Sequence, residues 1–162
     1  MGQVRKERRM NIHHAHLEVA EVYARLSKAR RLQVGAIIVK DNRVISIGYN
    51  GTPAGWDNNC EEEISVTENC ILDNGGPVYP ITTVSLKTKP EVIHAEANAI
   101  AKLARSNENG LDSTMYITHA PCFECSKLIY SAGIKKIYFR KHYRNEDGLK
   151  FLSKCNIEVE KL

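Results

Sequence analysis

Four side chains with metal-binding or acid–base chemistry stand in two short motifs of this sequence. His94 and Glu96 are separated by one alanine, and Cys122 and Cys125 form a C-x-x-C pair directly after Pro121. At positions i and i+3 of a helix, two sulfurs lie on one face within reach of one ion. The proline suits the start of that helix, where the helix dipole favours the thiolate form that binds metal. The pair therefore predicts a metal site at a helix N-terminus.

His94 and Glu96 cannot serve one site from inside a single helix, because residues two apart point to different sides of a helix. The helical run AEANAIAKLAR begins immediately after His94, so we expect the histidine to stand just outside the helix. One nitrogen and two sulfur ligands leave a tetrahedral zinc ion with an open position for water, which is typical of catalytic zinc. Zinc lowers the pKa of such a water toward about 7. Glu96, which is not needed as a ligand, is then expected to transfer protons.

Other interpretations of the two motifs stay open on spacing alone. A C-x-x-C pair can be redox-active, although a redox pair needs no distant His-x-Glu. A structural zinc ion would need a fourth ligand, which Cys60, Cys70 or His119 could supply. Otherwise Cys60 and Cys70 are predicted to be buried thiols or a loop staple, and Cys155 a small core residue. The histidines near the N-terminus are predicted to be surface or packing residues: His13, His14 and His16.

Length and composition bound the class of protein. The 162 residues predict a single domain over residues 1–162 with a sizeable core. No apolar run reaches the roughly 20 residues of a membrane span, and the N-terminus lacks the apolar stretch of a signal peptide. Five cysteines, an odd number, disfavour a disulfide framework, and together these features predict a cytoplasmic protein. The net charge of +4 is mild, so residues 1–10 are interpreted as a flexible basic tail and nucleic-acid binding is disfavoured.

The first element that would support these motifs is a helix over residues 13–28. Its apolar residues recur at three- and four-residue steps, which is typical of an amphipathic helix packed on a sheet. The residues predicted to face that sheet are Val19, Val22, Tyr23 and Leu26.

The rest of the chain predicts an α/β architecture. QVGAIIVKDNRVISIGYNG contains two β-branched runs around Asp41-Asn42, the pattern of a hairpin with a tight turn. TMYITHA and KKIYFR flank a helical segment that ends at Gly133, which predicts two parallel strands. A helix over residues 147–154 and an edge strand in NIEVE complete a five-stranded mixed sheet with helices on both faces. The segment between residues 51 and 92 is predicted to be irregular, and either functional or at an interface.

The motifs VGAIIV, GYNGTPAGW, HAEANAI, PCFEC and AGIKKI make the chain resemble the deoxycytidylate (dCMP) deaminase family of the zinc-dependent cytidine deaminase superfamily. The resemblance covers nearly the whole length and implies a three-layer α/β/α cytidine deaminase-like fold. It also implies a hydrolase that converts dCMP to dUMP with release of ammonia and so feeds thymidylate synthesis. The zinc ligands become His94, Cys122 and Cys125, and Glu96 the catalytic proton carrier. The substrate-binding residues implied by the resemblance are Asn50, Ala95, Thr118, Ala120 and Tyr143.

The resemblance further implies control by nucleotides. Members of that family are commonly hexamers that dCTP activates and dTTP inhibits, with Mg²⁺ expected to accompany the triphosphate. The residues implied for this second site, near subunit contacts, are Asn50, Gly51, Gly55 and Arg105. Arg105 is expected on the helix that follows His94, from which it could reach a neighbouring subunit. Basic candidates for holding the substrate phosphate at the pocket rim are Lys28, Arg30, Arg31, Lys141 and Arg144.

Three alternatives to a dCMP deaminase remain. The chain could act on dCTP, or on both dCMP and dCTP. It could deaminate a base in tRNA or another nucleic acid, although such an enzyme has no reason for the GYNG motif. A non-enzymatic zinc module would fill every coordination position of the metal and leave Glu96 without a role.

Overall fold

The described part of the chain forms helices and strands in nearly the order that the sequence predicts. The structure, a computed structural model, describes residues 11–70 and 79–162. The helices are α1 (Ile12–Ala24), α2 (Ala95–Leu103), α3 (Phe123–Ser131) and α4 (Asp147–Lys154). The strands are β1 (Gly35–Lys40), β2 (Arg43–Tyr49), β3 (Glu61–Cys70), β4 (Tyr79–Thr88), β5 (Thr114–His119), β6 (Lys136–Lys141) and β7 (Glu158–Lys161). The predicted basic tail, residues 1–10, lies outside the described residues.

Five of the strands form one mixed sheet in the order β2-β1-β5-β6-β7. β1 pairs antiparallel with β2 and with β5, whereas β5, β6 and β7 run parallel. Asp41 and Asn42 have φ angles of 48° and 60°, as a type I′ hairpin turn requires. The predicted hairpin, the parallel pair around α3 and the closing edge strand are therefore confirmed.

Helices cover both faces of this sheet and give the predicted three layers. On one face, Leu17 and Ala20 of α1 pack with Ile37 of β1 and Tyr116 of β5. On the other face, a larger core joins the sheet to α2, α3 and α4. Its fully buried members include Ile38, Ala99, Ile117, Ile129 and Leu152. Because α2 and α3 share this face, the starts of both helices can meet at one site.

The predicted packing face of α1 is right for Val19 and Tyr23, which pack against this core, and wrong for Val22 and Leu26. Val22 and Leu26 are 55% and 52% exposed, and Leu26 lies beyond the end of the helix. The buried residues of the helix are His16, Leu17, Ala20 and Ala24. The reason is close approach, since a Cβ at Gly35 would lie 2.0 Å from the carbonyl oxygen of Ala20.

The prediction of an irregular segment over residues 51–92 is also wrong for much of its length. β3 and β4 form a separate two-stranded antiparallel ribbon, in register from Glu61 opposite Thr88 to Cys70 opposite Tyr79. Its strands are rich in β-branched residues, which favour extended backbone. Most of the ribbon's described side chains are exposed, and the buried or half-buried ones among them lie toward its base.

Two of the N-terminal histidines, His13 and His16, are packing residues, which is one of the two roles predicted for them. The ring of His13 stacks on Tyr138 at 4.4 Å between centroids, and its Nδ1 lies 2.8 Å from the hydroxyl of Tyr116. His16 Nε2 lies 3.1 Å from Oδ1 of Asn42 in the hairpin turn. Within the described residues, no helix combines the length and the apolar character needed to cross a membrane.

Candidate metal centre and catalytic cavity

The His-Ala-Glu motif straddles the start of α2, as its spacing predicts. His94 is the N-cap residue with extended backbone, φ −69° and ψ 154°, and Glu96 is the second residue of the helix. The approach to this turn is fixed by Gly51 and Ile93, whose backbone groups exchange two hydrogen bonds of 2.9 and 3.1 Å. Leaving the helix at His94 lets the two side chains approach one point from different directions.

The two cysteines stand at the start of α3, which lies beside α2. Cys122 is the N-cap residue, and its sulfur accepts the backbone N–H of Cys125 at 3.5 Å. The turn is clamped by α4, because a Cβ at Gly148 would lie 2.3 Å from the carbonyl oxygen of Pro121. Both helix N-termini therefore converge on one point.

The three candidate ligands have the spacing of a zinc site. Nδ1 of His94 lies 3.6 Å from Sγ of Cys122 and 3.4 Å from Sγ of Cys125. Zinc bonds of about 2.0–2.1 Å to nitrogen and about 2.3 Å to sulfur, at a tetrahedral angle, separate the two atoms by roughly 3.6 Å. The donor set therefore fits zinc. Among the described residues these three form the single group of metal-binding side chains, so Cys60 and His119 do not supply a fourth ligand.

The thiols of this cluster differ in acidity. The thiol of Cys125 hydrogen-bonds to the sulfur of Cys122, and this contact, helped by His94, lowers the pKa of Cys122 to about 4. The same contact, with burial, raises the pKa of Cys125. Metal binding by both cysteines would end this sharing of one proton, because both thiols would then be thiolates.

Glu96 is placed beside the ligand cluster and is not one of its members. The residue is only 4% exposed, and this burial raises the pKa of its carboxyl to about 7. A carboxyl group whose pKa lies near neutral pH can both accept and donate a proton, which general acid–base catalysis requires.

A cavity of about 400 Å³ opens over the cluster. Of the residues expected to bind substrate, Asn50, Ala95, Ala120 and Tyr143 line it. Thr118 does not line it: its hydroxyl accepts the backbone N–H of Gly35 at 3.2 Å. The other residues of the lining are Arg31, Leu32, Val34, Glu61, Thr88, Val92, His94, Glu96, His119, Cys122, His142 and Arg144.

The GYNG motif frames this cavity. Asn50 accepts the N–H of Val34 and donates to the carbonyl of Leu32, each at 2.8 Å, so its amide braces the segment before β1. A Cβ at Gly48 would lie 2.1 Å from the carbonyl oxygen of Ala95. The hydrogen bonds of Asn50 fix one wall of the cavity, and the close contact at Gly48 fixes the start of α2.

Three of the residues expected at a second nucleotide site, Asn50, Gly51 and Gly55, lie in the loop after β2, whereas Arg105 lies elsewhere in the chain. Gly55 has φ 89° in the exposed turn after β2, where glycine is favoured. Arg105 is not on α2, which ends at Leu103, and it lies at the opposite end of that helix from His94. The position of Arg105 therefore differs from the prediction.

Sequence reasoning selected some of the basic residues of the cavity and missed other lining residues. Arg31 and Arg144 line it, whereas the other three basic candidates do not. Glu61 and Thr88 were missed, since Glu61 stands in the run EEE, which is typical of an exposed strand. His142 follows β6, and its place after the carboxyl end of a parallel strand is a signal that could have found it.

Comparison with known proteins gives one family model, the cytidine and deoxycytidylate deaminase zinc-binding region, which matches residues 10–141. The deoxycytidylate deaminase of Mycobacterium phage D29 is 36% identical over 126 residues, 77% of this chain and 91% of that protein. The corresponding enzyme of Enterobacteria phage T4 is 32% identical over 166 residues, covering 88% and 86% of the two chains.

Solved structures agree with these relatives. The dCMP deaminase of cyanophage S-TIM5, in complex with dCMP and dUMP, superposes with a TM-score of 0.75 and 38% identity, covering 95% of this chain and 100% of that one. A tRNA:A34 deaminase structure has a TM-score of 0.56 at 23% identity, covering 91% and 97%, and shows the fold alone.

Proposed function

The chain belongs to the cytidine and deoxycytidylate deaminase family of zinc-binding proteins, and we propose that its cavity hydrolyses dCMP to dUMP and ammonia. The observation that most strongly supports this proposal is the arrangement of His94, Cys122 and Cys125 at zinc-binding distances, beside the buried carboxyl group of Glu96. The relative from cyanophage S-TIM5, which covers nearly the whole chain, was solved with dCMP and dUMP. The fold is the cytidine deaminase-like α/β fold.

Zinc would be held by His94, Cys122 and Cys125, and when bound it supplies a Lewis acid that makes water nucleophilic at neutral pH. Glu96 takes a proton from the attacking water and delivers it to N3 of the cytosine ring as oxygen adds to C4. The carboxylate then takes the remaining hydroxyl proton and delivers it to the exocyclic amine. The C4–N bond breaks, ammonia leaves, and a C4 carbonyl remains.

The pyrimidine would be held by the walls next to this cluster. Ala95 and Ala120 line the cavity together with His94 and Cys122, and their backbones would contact the ring. Asn50 supports the wall that the deoxyribose would contact, through its bonds to the backbone of residues 32 and 34. Tyr143, which also lines the cavity, would cover the nucleotide.

The substrate phosphate would be held at the rim by Arg31 and Arg144. Both line the cavity, and within the described residues neither guanidinium group pairs with a carboxylate, whereas Arg30 does. Guanidinium groups suit phosphate because their donors match its oxygens in pairs. This arrangement supports a nucleotide rather than a nucleoside as substrate.

Regulation by dCTP and dTTP, with Mg²⁺, and a hexameric assembly are further parts of this proposal. They rest on membership of the family and on the exposed turn that contains Gly55, whose backbone N–H could approach a phosphate; the N–H of Gly51 already donates to the carbonyl of Ile93. Arg105 is exposed at the far end of α2, so it would serve such a site only from a neighbouring subunit.

An assay of ammonia release tests the proposal. The substrates are cytosine, deoxycytidine, dCMP, dCTP and single-stranded DNA, each at the same concentration with the zinc-loaded protein. We expect dCMP to be the preferred substrate. Preference for dCTP would replace the proposed substrate, and activity on DNA alone would place the chain with nucleic-acid deaminases.

A further inference from the structure

The base of the β3–β4 ribbon forms part of the catalytic cavity. Glu61, the first residue of β3, pairs with Thr88, the last residue of β4. Both side chains line the cavity, although most of the ribbon is exposed. The ribbon base therefore contacts the body of the protein at the cavity.

Glu61 uses its carboxylate to hold the backbone of a neighbouring turn. The residue is 1% exposed, and both of its carboxylate oxygens lie 3.1 Å from the backbone nitrogen of Arg30. One of them also accepts the backbone N–H of Arg31 at 3.2 Å. A buried carboxylate is costly unless it is hydrogen-bonded. These hydrogen bonds offset that cost, and they also hold the backbone of the turn at Arg30 and Arg31 in place.

Thr88 holds the side chain of the same turn. Its hydroxyl accepts a hydrogen bond of 2.8 Å from Nη1 of Arg31. Arg31 is thus held twice by one pair of residues, at its backbone by Glu61 and at its guanidinium by Thr88. No carboxylate lies within ion-pair distance of that guanidinium in residues 11–70 and 79–162, so its charge is free for an anion in the cavity.

We propose that Glu61 and Thr88 are positioning residues that orient Arg31 toward the phosphate of the substrate. This inference rests on the proposed function, because it requires a nucleotide in the cavity. An arginine held at both its backbone and its guanidinium group loses less conformational freedom when it binds a phosphate. The ribbon base therefore sets the preference for nucleotide over nucleoside without contacting the reacting ring.

The test compares kcat/KM for dCMP with kcat/KM for deoxycytidine, which lacks the phosphate. The variants are Glu61→Gln, which replaces one acceptor oxygen by an amide of the same shape, Thr88→Val, and Arg31→Ala. Glu63→Ala is the matched control, since Glu63 pairs with the side chain of Arg30 from an exposed position on the same strand. Zinc content and the affinity for dUMP, measured by calorimetry, accompany each variant.

We expect Arg31→Ala to reduce the ratio of the two kcat/KM values by at least ~10-fold, the scale of a charge-assisted hydrogen bond. Glu61→Gln and Thr88→Val should reduce the same ratio and weaken dUMP binding, with zinc content and deoxycytidine turnover retained. Glu63→Ala should leave the ratio unchanged. In an Arg31→Ala background, Thr88→Val should have no further effect, because the two residues act through one contact.

Several outcomes would overturn the inference. If Glu61→Gln and Thr88→Val lower activity on both substrates equally, the ribbon base is structural and does not position Arg31. If they keep the preference that Arg31→Ala destroys, the inference fails while the proposed phosphate contact stands. If Arg31→Ala itself keeps the preference, the phosphate contact fails and the inference with it. Should Glu61→Gln not fold, Thr88→Val alone decides between these outcomes.

Discussion

Gly48 of β2 and Ala95 at the start of α2 approach so closely that a Cβ on Gly48 would lie 2.1 Å from the carbonyl oxygen of Ala95 and 2.6 Å from the backbone nitrogen of Ala99. His94 and Glu96 lie at the first turn of α2, so this contact helps to determine how far both side chains lie from Cys122 and Cys125. Because Gly48 has no Cβ, the start of α2 can lie directly against the sheet.

Gly48→Ala should displace that helix. Overpacking costs about 1–3 kcal/mol, which corresponds to a decrease in Tm of roughly 3–10 °C for a chain of this size. Because His94 moves with the backbone, we expect zinc affinity and turnover to fall as well. Thermal unfolding, zinc content and dCMP turnover of the purified variant measure the three effects.

Gly110→Ala is the control for loss of stability alone. A Cβ there would lie 2.3 Å from the carbonyl oxygen of Ala132, a similar clash that is remote from the start of α2. Its Tm should fall while the bound zinc and the turnover below the Tm are kept. Equal loss of zinc in both variants would contradict the role assigned to Gly48.

Cys122→Ala and Cys125→Ala should lose metal and activity together, since each removes one of three ligands. Cys155→Ala should lose neither, because Cys155 packs at the border of the main core, away from the cavity. Metal analysis of the three purified variants decides this. Loss of zinc in all three would indicate general misfolding instead of a shared site.

The local parts of the site were predictable from the sequence. The position of His94 outside α2, the helix start at Cys122 and the hairpin at Asp41-Asn42 each depend on residues within a few positions of one another. The same holds for the parallel pair around α3. Short-range geometry and turn chemistry suffice for such features.

The missed features depend on contacts between distant parts of the chain. Glu61 resembles a solvated strand residue until the fold brings it to the backbone of Arg30, 31 residues earlier. Val22 was wrongly assigned to the packing face of α1, because Gly35 lets the small residue Ala20 approach the sheet closely and Val22 stays exposed. Neither contact alters the spacing of apolar residues along the sequence, so that spacing could not predict it.

Removal of the metal should destabilise the protein as well as inactivate it. A bound ion stabilises the folded state by about 4 kcal/mol when its free concentration is a thousand times Kd. A chelator should therefore lower the Tm and abolish ammonia release, and added Zn²⁺ should restore both. The chelator should not change the Tm of Cys125→Ala, and an equal shift there would show that the effect does not come from this site.

The proposed regulation predicts that dTTP with Mg²⁺ raises the dCMP concentration needed for half-maximal rate, and that dCTP reverses this shift. Coupling is reciprocal, so a dCMP analogue should weaken dTTP binding by the same factor. Rate curves against dCMP, with and without dTTP, measure the effect. Curves that overlay, together with no dTTP binding by calorimetry, would show a deaminase without this control.

The most direct test of the account is the turnover of dCMP by Glu96→Ala, measured as ammonia release on protein whose zinc content has been determined. We predict that the variant keeps the zinc and the fold of the wild-type chain and loses at least ~100-fold in kcat, the usual scale of general acid–base catalysis. The reason is that Glu96 moves protons without binding the metal. A variant that loses its zinc, or one that keeps both zinc and near-wild-type turnover, would contradict the account.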